Sequence, residues 1–252
     1  MTDPTAARPL DGRIALVTGA TRGIGQATAL ALAAAGAHIV AVGRTSGALE
    51  ELDDAINTAG SSATLVPLDL KDFAGIDRLG GALYERFGRL DIFVGNAGVL
   101  GPMTPLAQVE PKEWDDAVAV NLTANWRFVR SFDPLLRLST AGRAVLVTSG
   151  AAHKARAYWG AYAVTKSGLE ALARTWAAES ANLSNLKVNL FSPGPTRTRM
   201  RAKAFPGEDP ETLPAPEQVA QAILALCRPD FEETGKIFEF TTGRLLTYHL
   251  PY

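Results

Sequence analysis

Apolar positions along the chain fall into two alternating kinds of run. Short, nearly continuous Val/Ile/Leu stretches occur at IALVTG (14–19), AHIVAVG (37–43), ATLVPLDL (63–70), LDIFVGNAG (90–98), RAVLVTSG (143–150) and KVNLFSPG (187–194). Between them lie longer stretches with helical spacing. IGQATALALAAAG (24–36) closes on Gly36, and SGALEELDDAINTAG (46–60) opens on Ser46 and closes on Gly60. Further helices are predicted over roughly 72–88 and from about Tyr158 to Asn182. Another enters at Pro111, a residue tolerated in a first turn, and is expected to kink or end at Pro134. Strands that lack polar alternation are covered on both faces, and strand–helix alternation builds parallel sheets. The pattern therefore predicts an α/β fold: one doubly wound parallel sheet with helices on both faces. Ligands of such sheets sit at the carboxyl ends of the strands.

Composition narrows the class without changing this picture. The 252 residues, 47% of them hydrophobic, can fill one sizeable core, and no repeat or long linker divides them, so a single domain over 1–252 is expected. A formal net charge of -1 gives no electrostatic case for nucleic acid or an anionic membrane. Cys227 is the lone cysteine and the three histidines stand apart at 38, 153 and 249, which argues against a disulfide framework and a structural metal site. The opening MTDPTAARPLDGR has no apolar signal core, and the most apolar window, 27–42, is interrupted and too short to span a bilayer. A cytoplasmic protein is expected.

The first strand runs into Thr18-Gly19-Ala20-Thr21-Arg22-Gly23-Ile24-Gly25 and then a helix. Glycines here permit a tight turn and let backbone approach a pyrophosphate at a helix N-terminus, although a plain strand–helix turn has the same composition. An NAD site needs a carboxylate at the end of the second strand to bond the ribose 2′-hydroxyl. That place holds Gly43-Arg44, and no acid appears before Glu50. A guanidinium pairs instead with a 2′-phosphate, with Arg22 in support, so NADP(H) is favoured and NAD(H) is the alternative.

Tyr162-Ala-Val-Thr-Lys166 places a tyrosine and a lysine on one helical face, and Ser149 ends a strand thirteen residues before the tyrosine. With these residues the chain resembles the short-chain dehydrogenase/reductase family over roughly 10–200. The features that carry the resemblance, in order, are TGATRGIG (18–25), Asp69 in PLDL, Asn96-Ala97-Gly98, Asn121, Ser149, Tyr162/Lys166 and Pro193-Gly194-Pro195-Thr196-Arg197-Thr198. It departs from the family in having Gly95 where a second Asn is common, and in lacking a terminal glycine pair in GKIFEFTTGRLLTYHLPY.

The resemblance implies a Rossmann-like domain that moves a hydride between nicotinamide and a carbonyl or secondary alcohol. Tyr162 is then the general acid/base, Ser149 bonds the carbonyl oxygen, and Lys166 holds the nicotinamide ribose. Asn121 supports a water-mediated proton path. Lys166 and the oxidised nicotinamide are expected to lower the Tyr162 pKa from about 10 by two to three, which corresponds to about 3–4 kcal/mol. Implied cofactor contacts are Gly19, Thr21, Arg22, Gly23, Ile24, Gly25, Arg44, Asp69, Leu70, Asn96, Ala97, Gly98, Tyr162, Lys166, Pro193, Gly194, Thr196 and Thr198. Asp69 is assigned to the adenine, Asn96 to the loop near the ribose, and Thr198 to the carboxamide or pyrophosphate.

Substrate choice is expected from His153, Arg156, Tyr158 and Trp159, and from a lid at about 195–216. Arg197, Arg199, Arg201 and Lys203 suggest a basic rim for an anionic or phosphopantetheine-linked substrate; a solvated lid helix is the competing reading. Trp114, Trp126 and Trp176 are expected to pack in the core or between helices. A homodimer or homotetramer through those helices is implied by the resemblance alone. The alternatives to a general carbonyl reductase are a 3-oxoacyl-thioester reductase and a non-catalytic NADP-binding regulator.

Overall fold

A computed structural model describes residues 8–248; residues 1–7 and 249–252, with most of the polar amino-terminal segment and His249, lie outside the described residues. Six strands form where the continuous apolar runs stand: β1 (Ile14–Thr18), β2 (His38–Gly43), β3 (Ala63–Pro67), β4 (Ile92–Gly95), β5 (Arg143–Val147) and β6 (Lys187–Ser192). The helices between them are α1 (Gly23–Ala34), α2 (Ser46–Thr58), α3 (Phe73–Phe87), α4 (Pro111–Val118), α5 (Ala124–Arg137), α6 (Ala151–Lys154) and α7 (Gly160–Ser180). Beyond β6 come α8 (Arg199–Ala204), α9 (Pro216–Cys227), β7 (Lys236–Glu239) and β8 (Arg244–Thr247). No helix among the described residues is long and apolar enough to cross a membrane.

The strands make one eight-stranded sheet in the order β3-β2-β1-β4-β5-β6-β7-β8. All neighbours are parallel except the β7–β8 pair. Sequence order reverses between β1 and β4, which opens a crevice at their carboxyl ends. Successive strand residues face opposite layers, and both layers are apolar. Ala15, Val17, Ile39, Ala41, Val145 and Val147 pack with Leu32 of α1, Leu52 of α2 and Ile223 of α9. Leu16, Val40, Phe93, Ala144 and Leu146 pack with Ile76 of α3, Phe128 and Phe132 of α5, and Leu169 and Trp176 of α7. Trp176 is buried and donates through Nε1 to Asp133 at 2.7 Å, as packing between helices requires. Trp114 is half-buried. Trp126 departs from the core expectation: it lies on the outer side of α5, 44% exposed.

The lower edge of the sheet is sealed by Arg143, whose side chain is buried. It donates to the carbonyls of Gly142, Asn185, Arg228 and Pro229 at 2.6–3.2 Å, so the chain ends of β5, α9 and the approach to β6 meet on one guanidinium. Cys227 stands nearby, and burial pushes its thiol up to about 12, leaving it inert at neutral pH.

The irregularity expected at Pro134 is elsewhere. The α5 helix runs through Pro134 to Arg137, and the break comes earlier, as a π turn over Ala119–Thr123. There the Ala124 N–H reaches the carbonyl of Ala119. The wider turn frees the Asn121 carbonyl, which accepts from Asn125 Nδ2 at 2.9 Å instead. Asn121 itself anchors the bulge, as its side chain is drawn out to a neighbouring loop.

Candidate active site

The turn between β1 and α1 is built by close approach. Gly19 and Gly23 have φ of +65° and +55°, conformations that favour glycine. A Cβ on Gly25 would stand 2.2 Å from the Gly19 carbonyl oxygen and 2.4 Å from Asn96 Nδ2. Asn96 staples the turn to the end of β4, donating from Nδ2 to the Thr18 carbonyl at 2.9 Å. Thr18 Oγ1 accepts from the N–H groups of Asn96 and Ala97 at 3.0 and 3.1 Å. Asn96 therefore acts on the glycine turn itself, a more specific task than ordering a loop near a ribose. The first turn of α1 has no acidic residue and no side-chain cap, so its leading N–H groups face the crevice without an internal acceptor. That arrangement suits a pyrophosphate. Thr198 approaches the same place: a Cβ on Gly23 would meet its Cγ2 at 3.4 Å. Its hydroxyl also caps α8 by accepting from the Arg201 N–H at 3.2 Å.

At the end of β2, Gly43 lets Thr21 close in, since a Cβ there would meet Thr21 Cγ2 at 2.7 Å. This brings the turn and the end of β2 together, with Arg22 and Arg44 both exposed. Among the described residues neither guanidinium is paired with a carboxylate. Lys71, which the sequence reading missed, is close enough to Arg44 to feel its charge and is held by Asp116 at 2.9 Å. Asp69 accepts from the Lys71 N–H at 2.9 Å and is exposed beside the buried Leu70. Two exposed guanidiniums without carboxylate partners among the described residues fit a phosphate on the adenosine ribose.

The catalytic candidates converge at the carboxyl end of β5. Tyr162 and Lys166 lie in the first two turns of α7, both buried, with Lys166 Nζ 5.7 Å from the Tyr162 ring centre. Lys166 Nζ donates to the Val147 carbonyl at 2.8 Å, and burial pushes its pKa down to about 8, against which the charge of Glu170 acts. Burial pushes the Tyr162 hydroxyl up from its ordinary value, and a hydrogen bond from Ser149 pulls the other way. The chain alone thus holds Tyr162 protonated; the lowering expected from Lys166 is not a property of these residues by themselves. Asn121 is buried on the π turn. Its Oδ1 accepts from the Val99 N–H at 2.8 Å, while Nδ2 donates to the Val99 carbonyl at 2.9 Å and to Thr165 Oγ1 at 3.1 Å. Gly98 fits between them because a Cβ there would stand 3.2 Å from Asn121 Oδ1 and 3.6 Å from Lys166 Nζ. The loop carrying Asn96, Ala97 and Gly98 therefore links the glycine turn to α7.

Of the four expected pocket residues, Trp159 meets the site. Its ring lies edge-on to Tyr162, with centres 6.0 Å apart. Arg156 and Tyr158 are exposed, the latter with φ +72°, and His153 turns back to Glu170 at 3.0 Å. Across the site, Trp159 packs on Phe205 with ring centres 5.7 Å apart, and Arg201 lies over the Phe205 ring, 3.7 Å from its centre. The sequence reading missed Phe205, because a lone aromatic after a basic segment carries no periodic signal. The basic rim is half neutralised: Arg201 donates to Glu208 through Nε and Nη2 at 2.6 Å, and Arg197 donates to Glu211 at 2.6 Å. Thr196 is buried below this segment, and Gly194, with φ +67°, turns the chain out of β6 after Pro193.

This fold and site define a nucleotide-dependent oxidoreductase, and comparison with known proteins agrees. Residues 13–209 match the family model for short chain dehydrogenase. The oxidoreductase YciK of Escherichia coli is 36% identical over 239 residues, covering 93% of this chain and 94% of its own. A short chain dehydrogenase from Pseudomonas syringae superposes with a TM-score of 0.90 at 38% identity, covering 95% of this chain and 99% of that one. Another from Shigella flexneri, complexed with NADP, gives 0.89 at 34%, covering 94% and 100%. The chain belongs to the short-chain dehydrogenase/reductase family.

Proposed function

We propose that this chain reduces an uncharged ketone or aldehyde with NADPH, and runs the reverse reaction on the secondary alcohol. The observation that carries the reading is the convergence of Tyr162, Lys166 and Ser149 beside the glycine turn, with Tyr162 held protonated by burial. Bound reduced nicotinamide supplies the hydride. Ser149 donates to the carbonyl oxygen, and Tyr162 gives the proton that the developing alkoxide takes. Lys166, cationic below about 8, steadies the negative charge left on Tyr162 and is placed to hold the nicotinamide ribose. The Asn121 side chain is fully engaged, so any part it plays in a proton path falls to its main chain, at the opened π turn. The leading N–H groups of α1 take the pyrophosphate, and Arg22 and Arg44 take the 2′-phosphate. The Shigella flexneri relative described with NADP supports that choice over NAD.

Neutral substrates are favoured over anionic ones because Arg197 and Arg201 already spend their charge on Glu211 and Glu208. The edge that reaches Tyr162 is aromatic, from Trp159 and Phe205. A screen following NADPH absorbance tests the whole reading. Small neutral ketones should be turned over faster than keto acids or 3-oxoacyl thioesters carried on phosphopantetheine, whose phosphate is anionic; a clear preference for either of these classes removes the neutral-substrate assignment, and no turnover on any carbonyl removes the enzyme assignment. Arg44→Asp should weaken NADPH binding about 10- to 100-fold, the worth of a charge-assisted bond, and leave NADH binding nearly as before. Equal losses for both nucleotides would take away the basis for NADP. Self-association through α5 and α7 belongs to the same reading, supported by the exposed Trp126 and Val164 on those helices.

A further inference from the structure

Tyr162 and Lys166 are the first two members of a longer stripe. Glu170 follows at the same interval on α7, so the three side chains share one helical face. The Glu170 side chain is only 4% exposed and takes no part in the reaction described above. Its Oε1 accepts from Thr148 Oγ1 at 2.7 Å, and its Oε2 meets His153 Nε2 at 3.0 Å. Thr148 immediately precedes Ser149, and His153 follows it on α6. Lys166, one turn away, bonds the carbonyl of Val147. Residues on both sides of Ser149 therefore end on two adjacent positions of a single helix face.

A link to Thr148 alone needs only a neutral acceptor. A carboxylate enclosed this deeply is costly unless both oxygens are bonded and a cation is near, and both conditions hold here. Its charge in turn favours the cationic form of Lys166. The other titratable groups around the pair are Tyr162 and Arg174 on α7 and His153 and Lys154 on α6. Arg174 Nε donates to the main-chain carbonyl of Glu170 at 3.2 Å. The facing end of β5 and the π turn contribute Thr148, Ser149 and Asn121, none of which titrates in the working range.

We infer that Glu170 is a positioning residue for the reaction: it fixes Ser149 against Tyr162 from both sides and keeps Lys166 cationic where water is excluded. The roles of Ser149 and Lys166 rest on the proposed function, but the coupling of Glu170 to Lys166 does not. Glu170→Gln keeps the shape and an acceptor for Thr148 while removing the charge. In the full chain labelled with 13C-lysine, with the Lys166 signal assigned by Lys166→Arg, the titration midpoint should fall by about one pH unit. The kcat for carbonyl reduction at pH 7 should drop about twofold, as the cationic share of Lys166 falls from about nine-tenths to about one half, with KM for NADPH unchanged. His153→Ala should lower kcat while leaving the Lys166 midpoint in place.

An unmoved Lys166 midpoint in Glu170→Gln overturns the electrostatic half, and a wild-type kcat in Thr148→Val, which removes the bond to Glu170, overturns the positioning half. Should Glu170→Gln fail to fold, Thr148→Val still decides the positioning half: a lower kcat at constant KM supports it, and wild-type kinetics refute it. If the wild type reduces no carbonyl at all, the proposed function falls, and the lysine titration still decides whether Glu170 governs Lys166.

Discussion

Replacing Tyr162 by Phe should abolish most carbonyl reduction, lowering kcat by about 10²–10⁴-fold, the usual contribution of a positioned general acid. The change removes one oxygen from a side chain that is 9% exposed and leaves its ring contact with Trp159 available. NADPH binding, followed by nucleotide fluorescence, should persist, because the glycine turn, Arg22 and Arg44 are untouched. Near wild-type kcat in Tyr162→Phe would transfer the proton donor to another group; NADPH binding with no turnover of any carbonyl, by wild type or variant, is what would favour the regulator reading. The pH dependence has a definite sign. In the proposed reaction reduction needs a protonated Tyr162, and burial raises the pH at which the hydroxyl ionises, so that proton remains available through neutrality. Alcohol oxidation needs the ionised form and should therefore rise with pH. Lys166 limits the trend, since its supporting charge is lost as pH climbs through about 8.

The second large effect is structural. Gly25→Ala places a methyl 2.2 Å from the Gly19 carbonyl oxygen and 2.4 Å from Asn96 Nδ2. Neither is the free end of a flexible chain: one is backbone, and the other is fixed by its bond to Thr18. The turn must open, so NADPH binding should be lost together with about 1–3 kcal/mol of stability, as for an overpacked core. At this chain length each kcal/mol moves Tm by about 2–4 °C, which a thermal melt resolves. Because Gly25 touches no catalytic group, loss of binding would trace to the turn. Unchanged Tm and unchanged NADPH affinity would refute the steric argument.

How far the sequence could be read depended on whether a residue's task is local. Strands buried on both faces announce themselves as unbroken Val/Ile/Leu runs, and β1 through β6 stand where those runs do. The weaker β7 and β8 were not separated, because KIFE and RLLT are four-residue strands at a half-covered edge. The break near Asn121 was misplaced for a physical reason. Proline is a visible helix breaker, but α5 accommodates Pro134, whereas the π turn is made by a side chain reaching across to Val99. Tyr162 and Lys166 were legible because a fixed spacing puts them on one face. Glu170 lies on the same face, but its partners Thr148 and His153 are joined to it only by the fold. Likewise the charges of Arg197 and Arg201 were legible, whereas their neutralisation by Glu211 and Glu208 is a matter of how the segment curls.

Arg143 has a bearing on how such a chain can change. It gathers main-chain carbonyls at the end of the sheet where β5 begins, while Ser149, Tyr162 and Trp159 lie at the end where β5 stops. Cohesion and chemistry thus occupy opposite poles of the same strands. A family built on this plan can exchange residues at the far pole, such as Phe205 or Trp159, and remain a folded protein while its clientele turns over.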